Sequence, residues 1–124
     1  LEPERIYRLV KQEVPDNGVA LPLDRCFVLK EGSDVTLVAW GAMMHETLLA
    51  AKTLEHKGIS AEVIDVATIK PLDLGTILQS VEKTGRLAII HEAPKTCGVG
   101  AEISAQVAEK GLFFLKAPIE RVAA

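Results

Sequence analysis

The feature that most constrains this 124-residue chain is an alternation of short apolar runs and amphipathic stretches that begins at Val35. "VTLVA" is a strand-like run. "GAMMHETLLAAKTLEHKG" follows as a helix, with Leu48, Ala50, Ala51 and Leu54 on its apolar side and Gly58 to close it. "SAEVIDVATI" is the next strand. In "KPLDLGTILQSVEKTG", Leu74, Ile77, Leu78 and Val81 form the i, i+3, i+4, i+7 stripe of a helix that Asp73 can cap at its start and Gly85 at its end. "RLAII", "GVGAEISAQVAEKG" with Ile103 and Val107 inward, and "APIERVA" complete the series. A strand–helix–strand repeat implies right-handed crossovers into a parallel sheet, and strands apolar on both faces imply helices on both sides. The predicted class is α/β, a three-layer α/β/α domain with a five-stranded, mostly parallel sheet and one antiparallel edge strand at residues 26–30. That edge strand and "VTLVA" flank "KEGSD", which predicts a hairpin with Gly32 at positive φ.

Composition narrows the function. At 48% hydrophobic and 25% charged residues the chain can bury one core, and with 4% aromatics that core is built from Val, Ile, Leu and Ala. A net charge of -3 and a pI near 5.6, with no basic run, argue against nucleic acid or an acidic membrane surface as partner. The apolar runs are too short to span a bilayer and none resembles a signal peptide. Cys26 and Cys97 have no metal-type spacing and read as reduced cytosolic thiols. Residues 1–24, with Pro3, Pro15, Pro22 and the "PDNG" cluster, read as a linker or extended arm ahead of a domain at 25–124. A first residue other than Met, and a last strand with nothing to cover it, make a piece of a longer polypeptide the expectation, with the domain C-terminally incomplete.

In open α/β sheets ligands favour the carboxyl ends of the strands. Those ends carry "AWGAMMHE", "VATIKPLD" and "HEAPKTCGVG". "GVGAEI" has part of a dinucleotide fingerprint, but Ile103 stands where the third glycine belongs and no acidic residue follows at the expected distance. Close packing of a helix start is the better reading of Gly98 and Gly100. His91 and Glu92 are neighbours on a strand and so point to opposite sides. Cys97 can approach His91 across the loop, yet nothing obvious orients such a pair, and the plainer reading is that His91 and Glu92 serve loop backbone or a partner surface. His45 reads as a surface or interface group, Glu46 as a complement to the helix dipole, and His56 as solvated surface. Asp65 either grips a ligand or bonds a neighbouring loop. Lys70 to Asp73 is a rigid connection, and Trp40 is an interface anchor or a packing residue. No complete active site is present.

Taken in order, "DVTLVAWGAMMHETLLAA", "GISAEVIDVATIKPLD", "SVEKTGRLAIIHEAPKTCGVGAEIS" and "APIERVAA" closely resemble the C-terminal domain of the beta subunit of thiamine diphosphate-dependent 2-oxo acid dehydrogenases of the pyruvate and branched-chain type. "LEPERIYR", "QEVP" and "LPLDRCFVLKEGSD" resemble the end of that subunit's pyrimidine-binding domain and its connecting arm. The resemblance implies a transketolase C-terminal fold in an alpha2beta2 enzyme for oxidative decarboxylation of a 2-oxo acid and reductive acylation of a lipoyl group. It implies thiamine diphosphate and magnesium in the whole enzyme, and no catalytic, cofactor-binding or metal-ligating residue in this chain. The implied partners are an alpha subunit, a second beta subunit and the lipoyl acyltransferase, in the cytoplasm or the mitochondrial matrix. The residues expected at subunit contacts are Trp40, His45, His91, Glu92, Pro94, Gly98, Gly100 and Ala101, and a bulky residue at Gly100 is expected to break assembly and spare folding. Alternatives are the last domain of a transketolase or deoxyxylulose-phosphate synthase-like enzyme, and a freestanding small-anion-binding module.

Overall fold

The computed structural model describes residues 4–11 and 13–123. Pro3, Gln12 and Ala124, named in the sequence reading or its motifs, lie outside the described residues. A short 3-10 turn at Glu4–Ile6 is followed by irregular chain in residues 7–11 and 13–26. Then come β1 (Phe27–Lys30), β2 (Val35–Ala39), α1 (Met43–His56), β3 (Ala61–Asp65), α2 (Leu74–Thr84), β4 (Leu87–Ile90), α3 (Val99–Gly111), a 3-10 turn at Leu112–Phe114, and β5 (Glu120–Val122). They form a five-stranded sheet in the order β1-β3-β2-β4-β5. β2 is parallel to β3 and β4, β4 is parallel to β5, and β1 runs antiparallel to β3 with a bulge between Val28 and Lys30.

The strand order dictates the layers. The step from β2 to β3 goes one way across the sheet, and the steps from β3 to β4 and from β4 to β5 go the other way. Right-handed crossovers therefore put α1 on one face and both α2 and α3 on the opposite face. The packing follows. Val38, Ile64 and Ile89 meet Ile77, Val81, Ile103 and Val107 on the two-helix face. Leu37, Ala39 and Val63 meet Met44 and Ala51 on the one-helix face. Ala50, expected on the apolar side of α1, is exposed, and Thr47 takes a buried place with its hydroxyl donating to the Met43 carbonyl at 2.7 Å.

The expected hairpin does not form. β1 and β2 are consecutive in the chain, but β3 lies between them in the sheet, so β1 pairs with β3. Gly32 does not adopt positive φ. A Cβ there would collide with the Ala61 and Glu62 backbone, so glycine answers a close approach of two chain segments. The caps of α2 do form. Asp73 Oδ1 accepts from Thr76 N at 3.2 Å, and Gly85 closes the helix at φ +73° with its N–H on the Val81 carbonyl at 2.8 Å. Asp73 Oδ2 also accepts from Cys26 N at 3.0 Å, which ties the entry of β1 to the start of α2.

Candidate functional site

The strand reversal creates a topological switch point between β2 and β4. The loop after β2 leaves toward the α1 face, and the loop after β4 leaves toward the α3 face. The crevice outside these two carboxyl ends is where an open α/β sheet takes a ligand. Here it is filled by the chain's own side chains. Trp40, the single tryptophan, stacks on His91 with ring centroids 5.3 Å apart and planes 14° from parallel. His91 is 2% exposed. Its backbone N–H donates to the Val122 carbonyl at 3.0 Å, which extends the β4–β5 ladder by one bond.

The glycines at the start of α3 fit this imidazole. A Cβ on Gly100 would sit 2.5 Å from His91 Nε2, and one on Gly98 would sit 2.6 Å from the Pro94 carbonyl oxygen and 3.0 Å from His91 Cε1. The expectation that a bulky residue at 100 spares folding is therefore corrected, because that side chain would enter the space of a buried ring of the same chain. The dinucleotide reading also falls away, since the α3 start is occupied by His91 and Pro94. Neither ring nitrogen of His91 has a hydrogen-bond partner among the described residues. Burial first, and the Arg121 charge second, hold its pKa below the usual 6.5, so the ring is neutral at pH 7. Arg121 itself donates to the Lys95 carbonyl at 2.8 Å, pinning the loop after β4 to β5.

Glu92 points outward and is exposed, as opposite-facing neighbours on a strand require. Arg5 bridges it at 2.9 Å and Glu46 at 3.5 Å, so the 3-10 turn at Glu4–Ile6 rests on this end of the sheet. His45, Pro94 and Cys97 are exposed, Ala101 is half-buried, and Cys97 sits at φ +57°. His56 is exposed as expected. Asp65 follows the loop alternative: its Oδ1 accepts from Ala67 N at 2.9 Å, and burial raises its pKa. Cys26 is buried, and desolvation, with the Asp73 and Asp65 charges, pushes its thiol up to about 12, which leaves it inert as a nucleophile. Among the described residues no cluster of three or more His, Cys, Asp or Glu can hold a metal ion, and no helix is long and apolar enough to cross a membrane.

Sequence reasoning missed a second surface. An apolar groove of about 320 Å³ runs beside α1, lined by Leu37, Met43, Leu54, Ala88, Ile90 and Val122. It exists because one helix cannot cover a sheet face that spans β2, β4 and β5. The signal was available in the run of apolar residues on both faces of these strands, but its meaning depended on the direction of each crossover.

A family model for the transketolase C-terminal domain matches residues 24–124. Over all 124 residues the chain is 46% identical to the pyruvate dehydrogenase E1 component subunit beta of Staphylococcus epidermidis and 45% identical to that of Bacillus subtilis, covering 38% of each. Over 122 residues, 98% of this chain, it is 48% identical to the mitochondrial 2-oxoisovalerate dehydrogenase subunit beta of Dictyostelium discoideum, covering 33% of it. The chain thus spans less than two fifths of the length of these curated relatives. Among solved structures, a split-gene transketolase in the form of an inactive beta4 tetramer superposes with a TM-score of 0.78 at 34% identity, over 91% of this chain and 36% of that one. A 2-oxoglutarate:ferredoxin oxidoreductase from Magnetococcus marinus shares the fold, with a TM-score of 0.56 at 10% identity over 81% of this chain and 16% of that one.

Proposed function

Because the chain belongs to the transketolase C-terminal domain family, we propose that it is the assembly domain of the beta subunit of a 2-oxo acid dehydrogenase's decarboxylating component. In this reading residues 1–24 form the arm from a preceding pyrimidine-binding domain and 25–124 form the domain itself. The whole enzyme carries out oxidative decarboxylation of a 2-oxo acid and reductive acylation of a lipoyl group. Thiamine diphosphate and magnesium are held by that whole enzyme, and this chain supplies no group to the reaction. Its partners are an alpha subunit, a second beta subunit and the lipoyl acyltransferase, and its setting is the cytoplasm or the mitochondrial matrix.

The observation that carries the reading is the filled crevice. The position where this sheet type takes a ligand holds Trp40 against His91, while similarity to beta subunits of two dehydrogenases runs the length of the chain. A domain whose switch point is occupied by its own Trp40 and His91, with half-buried Trp40 beside an exposed rim of His45, Glu92 and Pro94, is suited to contact. His91, Gly98, Gly100 and Ala101 then support that rim from beneath. The test is reconstitution of the full beta polypeptide with an alpha subunit, read by native mass spectrometry together with 2-oxo acid-dependent reduction of an artificial electron acceptor. The expected result is an alpha2beta2 mass that Glu92→Arg and Pro94→Asp weaken, with activity lost in parallel. Activity of the beta polypeptide without alpha would overturn the reading.

A further inference from the structure

We propose that His91 is a proton-operated latch: neutral, it locks Trp40 of the β2 end to the start of α3, and protonated, it leaves this place and releases the carboxyl end of the sheet. Three observations converge. The ring is enclosed, with an indole on one side and the Gly98 and Gly100 backbone fitted against it. Both nitrogens lack partners among the described residues, so no acceptor waits for a second N–H. The surroundings are positive, with Arg121 acting on the ring from β5 and the N-terminal end of a 13-residue helix behind it.

The nearby carboxylates do not answer that positive charge. Glu92, next in sequence on the loop, and Glu46, on α1, are bridged by Arg5. Glu102, in the first turn of α3, is exposed and accepts from Gln106 at 2.7 Å. Lys95 on the loop adds a further cation. A stacked indole attracts an imidazolium, but that gain is small beside the lost hydration of an unpaired buried charge. The proton is therefore taken up by exposing the ring. That motion frees residues 92–97, which carry Glu92 and Pro94. Any effect of the latch on subunit contacts rests on the assembly reading; the latch itself belongs to the fold of this chain.

Trp40 reports on the ring directly, because loss of the stacked imidazole opens this end and exposes the indole to water. The experiment titrates Trp40 emission in the wild-type chain from pH 8 to pH 5, alongside the His91 ring-carbon signals by NMR. The expected result is a single shared midpoint below 6.5, a red-shifted acid emission, and faster amide exchange at Gly98 to Ala101 below that midpoint. His91→Gln, which cannot titrate, should lose the emission step. Gly100→Ala, which crowds the ring out, should show the acid-type emission already at pH 8, so the test does not depend on how well His91→Gln folds. A His91 midpoint at or above 6.5, an emission that stays flat while His91 titrates, or a Gly100→Ala emission identical to wild type at pH 8 would each overturn the latch.

Discussion

The two ends of the sheet treat their buried polar groups in opposite ways. At the amino end, Thr36 on β2 lies between Ser80 and Thr84 of α2, with oxygens 2.7 Å and 2.8 Å away, and Thr84 donates on to the Arg86 carbonyl at 3.1 Å. Glu62 on β3, 2% exposed, is met by Lys83 and accepts from Gly32 N at 3.2 Å, while Lys83 also reaches Glu31 at 2.8 Å. Burial pushes the Glu62 carboxyl up, but the hydrogen bonds from Lys83 and Ser80 outweigh it and hold it below 4.5. At the carboxyl end the imidazole of His91 is buried with no partner for either ring nitrogen among the described residues. The amino end is a closed network that fixes α2 against the strands. The carboxyl end is held by stacking and close backbone fit, which a single proton or methyl group can upset.

The largest break in this contrast should come from Lys83→Met. It leaves Glu62 buried and without its cation, a change worth about 3 kcal/mol at a fully buried pair and reduced here because the Lys83 head is partly solvated. Urea unfolding should show the loss near pH 7, and Glu62→Gln added to Lys83→Met should recover most of it. Next comes Gly100→Ala, expected to cost about 1–3 kcal/mol by overpacking against His91 and Ile89. Pairing it with His91→Ala should remove most of that penalty in a double-mutant cycle, and simple additivity would show that the two sites are uncoupled. Thr36→Val, which leaves the α2 hydroxyls without their shared partner, should cost about 1–2 kcal/mol in the same assay.

Acid should act on the two ends in sequence. His91 has a folded pKa below 6.5, so the unfolded chain takes the proton first. Its contribution is complete above 6.5 and fades as pH falls through that value toward the folded one. Glu62 and Asp73, whose folded values lie below 4.5 and 3.8, contribute above those values and lose that contribution as pH falls through their folded values. Thermal melts between pH 8 and pH 3 should therefore show two separate declines, and His91→Gln should remove the upper one. The smallest effect is Arg5→Ala. Its ion pairs with Glu46 and Glu92 are half exposed, so stability should change by less than about 1 kcal/mol and the difference should vanish in high salt.

Much of this was legible before any coordinates. The alternation from Val35 onward marks β2 to β5 and the three helices, because periods of 2 and 3.6 are local properties. Asp73 and Gly85 announced their caps for the same reason, since a cap needs partners no more than four residues away. The hairpin was misjudged because adjacency in the chain favours it, whereas β3 displaces β2 from the side of β1. At the strand ends, Trp40 was recognisable as an anchor or packing residue and the glycines at 98 and 100 as places of close approach, but not what they met.

By itself the sequence determined the α/β class, the order of strands and helices along the chain, the antiparallel edge strand and the family. Tertiary structure decided that two helices share one face, that the other face keeps an open groove, and that His91 is buried beneath Trp40. The physical reason is range. Residues 40, 91, 98, 100 and 121 share one small volume only because the strand order places β2 beside β4 and β4 beside β5. No pattern within one turn or one strand records that order, which is selected by crossover handedness and by which apolar faces can close on one another.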